Sequence, residues 1–259
     1  MTEPTTAPTT APTTAPTTAP TTEPTAAAPF DAFEVDFHGT ILKGDCHGAG
    51  AARHALYLHG AGTSSRAGYA IPRRALLARG VATTAFDCIG HGATGGAMAA
   101  SSLACRGRQA DAVIAARALS EPLTVIGSSM GAYDAIKLSE RRRVDALVLI
   151  VPGVYTPQAY EVPFGPQFSS VIRRERSWVD SDAWAILGNF TGALLVIAAE
   201  NDAVIPLEIP ERLVAAAGRA RSRHLHVVPG TAHNYLFAHM QATPPLLEQT
   251  MDLILACIG

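Results

Sequence analysis

The chain has 259 residues, of which 48% are hydrophobic and 16% charged. That is enough apolar material for one large core, and α/β folds of this length often form a single domain. The formal net charge is −2 and no basic run is sustained, which argues against a nucleic-acid partner. No apolar stretch is long enough to span a bilayer, and the N-terminus carries no charged, apolar export signal. The four cysteines, Cys46, Cys88, Cys105 and Cys257, have neither paired nor metal-like spacing and read as free thiols. A cytoplasmic setting is therefore expected.

Residues 1–29 form a low-complexity tail in which Thr5-Thr6-Ala7-Pro8 recurs through Pro20. Proline at every fourth position forbids a regular helix, and nothing there can bury a core, so an extended arm outside the catalytic unit is expected. Strands over 30–35 and 40–43 around His38-Gly39 read as a hairpin. A short apolar strand at 55–58 runs into His59-Gly60-Ala61-Gly62, and 64–79 reads as a helix disturbed by Pro72. The strand at 81–86 ends in Asp87-Cys88-Ile89-Gly90-His91-Gly92, and 103–119 is helical. Next comes the strand at 123–126, ending in Gly127-Ser128-Ser129-Met130-Gly131, with a helix over 132–141. Strands at 146–151, 193–199 and 225–228 follow, with a helix through 217 and a closing helix at 245–258. The Arg141-Arg142-Arg143 cluster ends a helix, where arginines complement the dipole.

Short strands apolar on both faces, alternating with helices, require a parallel sheet covered on each side. The expected fold is a single α/β domain over 30–259, its sheet mostly parallel with an antiparallel start and helices on both faces. Sites in such sheets form at the carboxyl ends of strands. His59, Asp87, Ser129, Asp202 and His233 all fall just after a strand.

Gly-x-Ser-x-Gly between a strand and a helix is the pattern of a nucleophile elbow, with Ser129 at its tip. A serine hydroxyl needs a base to accept its proton and an acid to orient that base. Asp202, in Glu200-Asn201-Asp202-Ala203-Val204-Ile205-Pro206, and His233, in Gly230-Thr231-Ala232-His233, follow in the order that fold uses. Glu200 is the rival acid. The backbone amides of Met130 and Ala61 are candidate oxyanion donors, although His59-Gly60 also reads as a plain glycine turn. Ser128 lacks the flanking glycines and reads as a neighbour of the nucleophile. Asp87 and His91 read as loop braces, and the scattered histidines form no metal-ligand pattern.

On these motifs the chain resembles the α/β-hydrolase superfamily over roughly 30–259, and more loosely its small feruloyl (cinnamoyl) esterases and monoacylglycerol lipases. Many of those carry Gly-His-Ser where this elbow has Gly-Ser-Ser. The resemblance implies an α/β-hydrolase fold with Ser129 as nucleophile, His233 as base, Asp202 as orienting acid, and Ala61 and Met130 as oxyanion donors. It implies no cofactor, and a small-molecule acyl ester as substrate. Thioesterase, acyltransferase and carbon–carbon hydrolase chemistry remain open on the same residues, as does a non-catalytic ligand receptor. The insert at about 154–192 occupies the usual cap position and holds Tyr155, Tyr160, Phe164, Phe168, Trp178, Trp184 and Phe190. Those rings either line an acyl pocket or pack the cap onto the domain. A helix over 177–187 is expected there, and the sequence leaves the oligomeric state open.

Overall fold

The computed structural model describes Met1 and residues 30–259. The arm expected over 1–29 therefore lies, Met1 apart, outside the described residues. Eight strands form one sheet in the order β1-β2-β4-β3-β5-β6-β7-β8. The first two, β1 (Asp31–Phe37) and β2 (Thr40–His47), make the hairpin at His38-Gly39, and β2 pairs antiparallel with β4 (Val81–Phe86). From there β3 (Arg53–Leu58), β5 (Leu123–Ser128), β6 (Val144–Ile150), β7 (Ala193–Ala199) and β8 (Ser222–Val228) run parallel. The mostly parallel sheet with an antiparallel start is as expected.

Alternate residues of the central strands feed two separate cores, one on each face. In β6, Leu147 and Leu149 point to one and Ala146, Val148 and Ile150 to the other; Leu194 and Val196 against Leu195 and Ile197 repeat the pattern in β7. Each buried aliphatic side chain contributes roughly 1.5–3 kcal/mol, so a strand in this setting has no polar face to spare. The first core packs under α2 (Leu103–Ala116), α3 (Met130–Ser139) and α6 (Glu208–Ala216). The second packs under α1 (Ala70–Leu77), α7 (Leu236–Ala242) and α8 (Pro244–Ile258).

Helix α2 ends at Ala116 and α3 spans Met130–Ser139, small shifts from expectation, and two segments depart further. The segment 64–79 splits into a 3₁₀ turn, Arg66–Tyr69, and α1, so that Pro72 falls in the first turn of α1, where a missing N–H costs nothing. In the insert, α4 (Pro166–Ile172) precedes a run of turns, and the second helix, α5, spans Ala183–Asn189 rather than 177–187. Asp180-Ser181-Asp182 explains the late start. Their side chains bond outside a helix, Ser181 Oγ accepting from the nearby Ala183 amide at 3.3 Å and Asp180 from the distant Thr156 Oγ1 at 3.1 Å.

Candidate active site

The turn from β5 into α3 puts Ser129 at φ 53° and ψ −116°, a conformation that costs a non-glycine residue about 1–3 kcal/mol. The surroundings hold it there: the Ser129 amide donates to Ile150 O at 2.8 Å, and Ser129 O accepts from Ala132 N at 3.0 Å and Gly153 N at 3.1 Å. The two glycines of the elbow serve close approach. A Cβ at Gly131 would sit 2.6 Å from His59 O, and one at Gly127 would sit 2.7 Å from Ala132 Cα. Gly131 lets the first turn of α3 press against the end of β3, and Gly127 lets the end of β5 fold back against that same turn.

Asp202 and His233 reach this turn from the loops after β7 and β8. Two main-chain bonds tie those loops together, Glu200 N to Val228 O at 3.0 Å and Asn201 N to Thr231 O at 2.9 Å. His233 Nε2 lies 3.0 Å from Ser129 Oγ, and His233 Nδ1 lies 2.7 Å from Asp202 Oδ2. The other carboxylate oxygen, Oδ1, accepts the amides of Val204 and Ile205, both at 2.8 Å. Burial pushes the Asp202 carboxyl up, but the His233 bond and the two amides outweigh it and hold the group below its ordinary value. An ionised, acceptor-only carboxylate puts the imidazole proton on Nδ1 and leaves Nε2 free to accept from the serine. The rival acid, Glu200, is exposed and accepts the Gly230 amide at 2.8 Å instead, which braces the turn leading to His233.

Upstream, the loop after β3 passes beside Ser129, close enough that a Cβ at Gly60 would lie 3.3 Å from Ser129 Cβ. His59 is buried and its Nε2 accepts the Cys88 amide at 3.0 Å, so its proton sits on Nδ1, which bonds Gly60 O at 2.7 Å. Burial, reinforced by the positive charge of Arg106, holds His59 well below the ordinary histidine value and keeps it neutral. In a trans peptide the N–H points opposite to the C=O. With Gly60 O turned inward, the Ala61 N–H turns outward, and Ala61 lines the cleft above Ser129. Met130 is the first residue of α3, so its amide has no partner one turn back in the helix.

The cleft measures about 730 Å³ and is walled by Tyr69, Ile71, Val204, Leu236 and Phe237. None of the insert's aromatics lines it. Phe164, Phe168 and Phe190 are buried in the first core, with Tyr155, Tyr160, Trp178 and Trp184 packed against it. Tyr133 Oη also donates to Asp182 at 2.7 Å, pinning the insert to α3. Of the other residues singled out, Asp87 ion-pairs with Arg66 and accepts the Ala93 amide at 2.8 Å, while His91 bonds Ile89 O at 3.2 Å. Both are loop contacts. Ser128 is buried beside the elbow.

Sequence reasoning missed Tyr69 and Arg106. Tyr69 Oη accepts the Gly60 amide at 3.2 Å and pairs with Ser64 Oγ at 3.0 Å. Arg106 sits on the buried stripe of α2 with Leu103, Ala110 and Val113. A charged residue on such a stripe was the available signal.

An uncharacterised protein of Mycobacterium tuberculosis is 30% identical over 164 residues, covering 62% of this chain and 56% of that protein. The chain thus matches about half the length of that curated relative. Among solved structures, an esterase of Pyrococcus furiosus superposes with a TM-score of 0.66 at 19% identity, covering 89% of this chain and 93% of its own. Est1E of Butyrivibrio proteoclasticus, with ferulic acid bound, gives 0.65 at 19% identity over 86% and 99%. At such identities the likeness is one of fold. Residues 55–192, more than half the chain, match the profile of the alpha/beta hydrolase family, and the chain belongs to that family.

Proposed function

We propose that this protein is a serine hydrolase that cleaves uncharged carboxylic esters through an acyl-enzyme on Ser129. The observation that carries the reading is the continuous hydrogen-bonded line Ser129 Oγ–His233–Asp202, 3.0 Å and 2.7 Å, at the carboxyl ends of three strands. As Ser129 Oγ attacks the ester carbonyl carbon, its proton passes to His233 Nε2, and the ionised Asp202 stabilises the imidazolium. The carbonyl oxygen takes up negative charge facing the Ala61 and Met130 amides. Collapse breaks the bond to the alcohol, which leaves with the proton from His233. Water then loses a proton to the same nitrogen, attacks the acyl-enzyme, and releases the acid and Ser129. No cofactor enters these steps.

The cleft supports the substrate class. Its walls are mostly aliphatic and aromatic, and no carboxylate, lysine or arginine lies among the described residues that line it. A fluorophosphonate probe tests the nucleophile: the wild type should be labelled and a folded Ser129→Ala variant should not. Absence of labelling in both would favour a non-catalytic receptor. Turnover is then compared on p-nitrophenyl esters of increasing chain length, hydroxycinnamate esters and acyl thioesters. Failure on every ester would refute the bond assigned.

A further inference from the structure

Arg106 and Asp134 form an ion pair deep between α2 and α3, with exposures of only 1% and 4%. Removing a guanidinium from water costs several kcal/mol, and a pair of apolar side chains would join the two helices as well or better. What the arginine contacts gives it a further role. Its Nε donates to Asp134 Oδ2 at 2.7 Å, its Nη2 to His59 O, and its Nη1, at a longer 3.4 Å, to Gly60 O. Two of its three nitrogens thus face successive carbonyls of the loop after β3.

Peptide planarity converts those contacts into amide directions. With His59 O turned toward Arg106, the Gly60 N–H points the other way and meets Tyr69 Oη at 3.2 Å. With Gly60 O turned toward His59 Nδ1 and Arg106, the Ala61 N–H points into the cleft. At its other end the arginine is bonded to Asp134, which lies one helical turn beyond Met130 in α3. The same guanidinium therefore fixes the loop that carries one candidate oxyanion donor to the helix that carries the other. We propose that the buried Arg106–Asp134 pair is a positioning device for the oxyanion hole, holding the Ala61 and Met130 amides in register above Ser129. The proposal rests on the serine-hydrolase reading. Burial and Arg106 also keep His59 neutral, which leaves its Nε2 lone pair to accept the Cys88 amide while the Nδ1 proton bonds Gly60 O.

The test uses the full chain carrying Arg106→Met together with Asp134→Leu, so that no lone charge stays buried, and Arg106→Lys. Lysine keeps the pair with Asp134, but its single nitrogen cannot also hold both carbonyls. Full loss of one oxyanion donor costs about 10²–10³ in kcat. A loosened donor in the double variant should cost roughly 10–100-fold, with KM held within about threefold. Affinity for a boronic acid, which mimics the tetrahedral state, should fall in proportion to kcat, whereas a product carboxylic acid should bind as before. A structural role alone would lower the melting temperature without that parallel. Wild-type kcat and boronate affinity in either folded variant would overturn the proposal, and if the double variant does not fold, Arg106→Lys decides. Should the wild type neither be labelled nor turn over esters, the hydrolase reading fails on its own. The positioning role is then read from amide NMR shifts: movement of Ala61 and Met130 in the lysine variant supports it, and unmoved resonances reject it.

Discussion

Replacing Asp202 with asparagine probes the proposed chemistry at its least redundant point. The Val204 and Ile205 amides, both 2.8 Å from Oδ1, require an acceptor there and fix which way the new amide lies. The asparagine oxygen stays on them, and its NH₂ takes the place of Oδ2, 2.7 Å from His233 Nδ1. A donor at that point forces Nδ1 to accept and moves the imidazole proton to Nε2. That nitrogen, 3.0 Å from Ser129 Oγ, then has no lone pair for the serine proton. In the Ser-His-Asp template the wrong tautomer costs about 10⁴ in kcat, or about 5.5 kcal/mol of barrier. The loss should lie in kcat, with KM changed little and the melting temperature nearly unchanged. Glu200→Gln is the matched control, since among the described residues that exposed side chain holds only the Gly230 amide and should cost less than about fivefold. Steady-state kinetics on a p-nitrophenyl ester reads both. If Glu200→Gln costs more than Asp202→Asn, or if Asp202→Asn keeps a tenth of the activity, the assignment of the acid is wrong.

Two further outcomes concern stability. Gly131→Ala sets a methyl 2.6 Å from His59 O, a backbone atom that cannot step aside. A cost of about 3 kcal/mol should lower the melting temperature by roughly 6–12 °C, and an unchanged melt would contradict the close approach. Four histidines, His54, His59, His91 and His226, are held below their ordinary value, in each case first by burial. A depressed histidine leaves the unfolded chain binding more protons below about pH 6.5, so stability should fall as pH drops through that point. For the buried His59 alone the loss at pH 5.5 should be on the order of 1 kcal/mol. Urea midpoints at pH 7.5 and 5.5 measure it, and equal midpoints would refute the linkage.

The parts legible in the sequence were those that local pattern fixes. Ala193–Ala199 could only be a strand buried on both faces, and Ser129 between two glycines, after a strand and before a helix, could only be a sharp turn. The order of Ser129, Asp202 and His233 pointed to one loop cluster. What it could not carry was partnership between distant segments. The inward face of Arg106 depends on carbonyls at His59 and Gly60, which only the packing of β3 against α2 and α3 brings near. The insert's aromatics posed the same problem: their number was visible, but the direction of the rings is set by Tyr133 and Asp182, not by their own spacing. Helix α7, seven residues between the His233 turn and Pro244-Pro245, is too short to show a period.

That last helix matters because it makes one wall of the cleft. Leu236 belongs to the second core and Phe237 packs against it, and the ring of Phe237 lies 6.0 Å, edge to face, from that of Tyr69, which also lines the cleft. Tyr69 in turn stacks on Tyr57 of β3 at 4.7 Å and bonds the Gly60 amide. The cleft wall and the loop bearing Ala61 are thus one packed unit, rooted in the sheet face opposite the insert. From that side Tyr69 holds the Gly60 N–H; from the other, Arg106 holds the His59 and Gly60 carbonyls. A glycine-rich loop is floppy on its own account, since each glycine surrenders more conformational freedom on ordering than any other residue. This one is clamped on the groups of two successive peptides, from both cores, which leaves the Ala61 N–H as the group free to face a ligand.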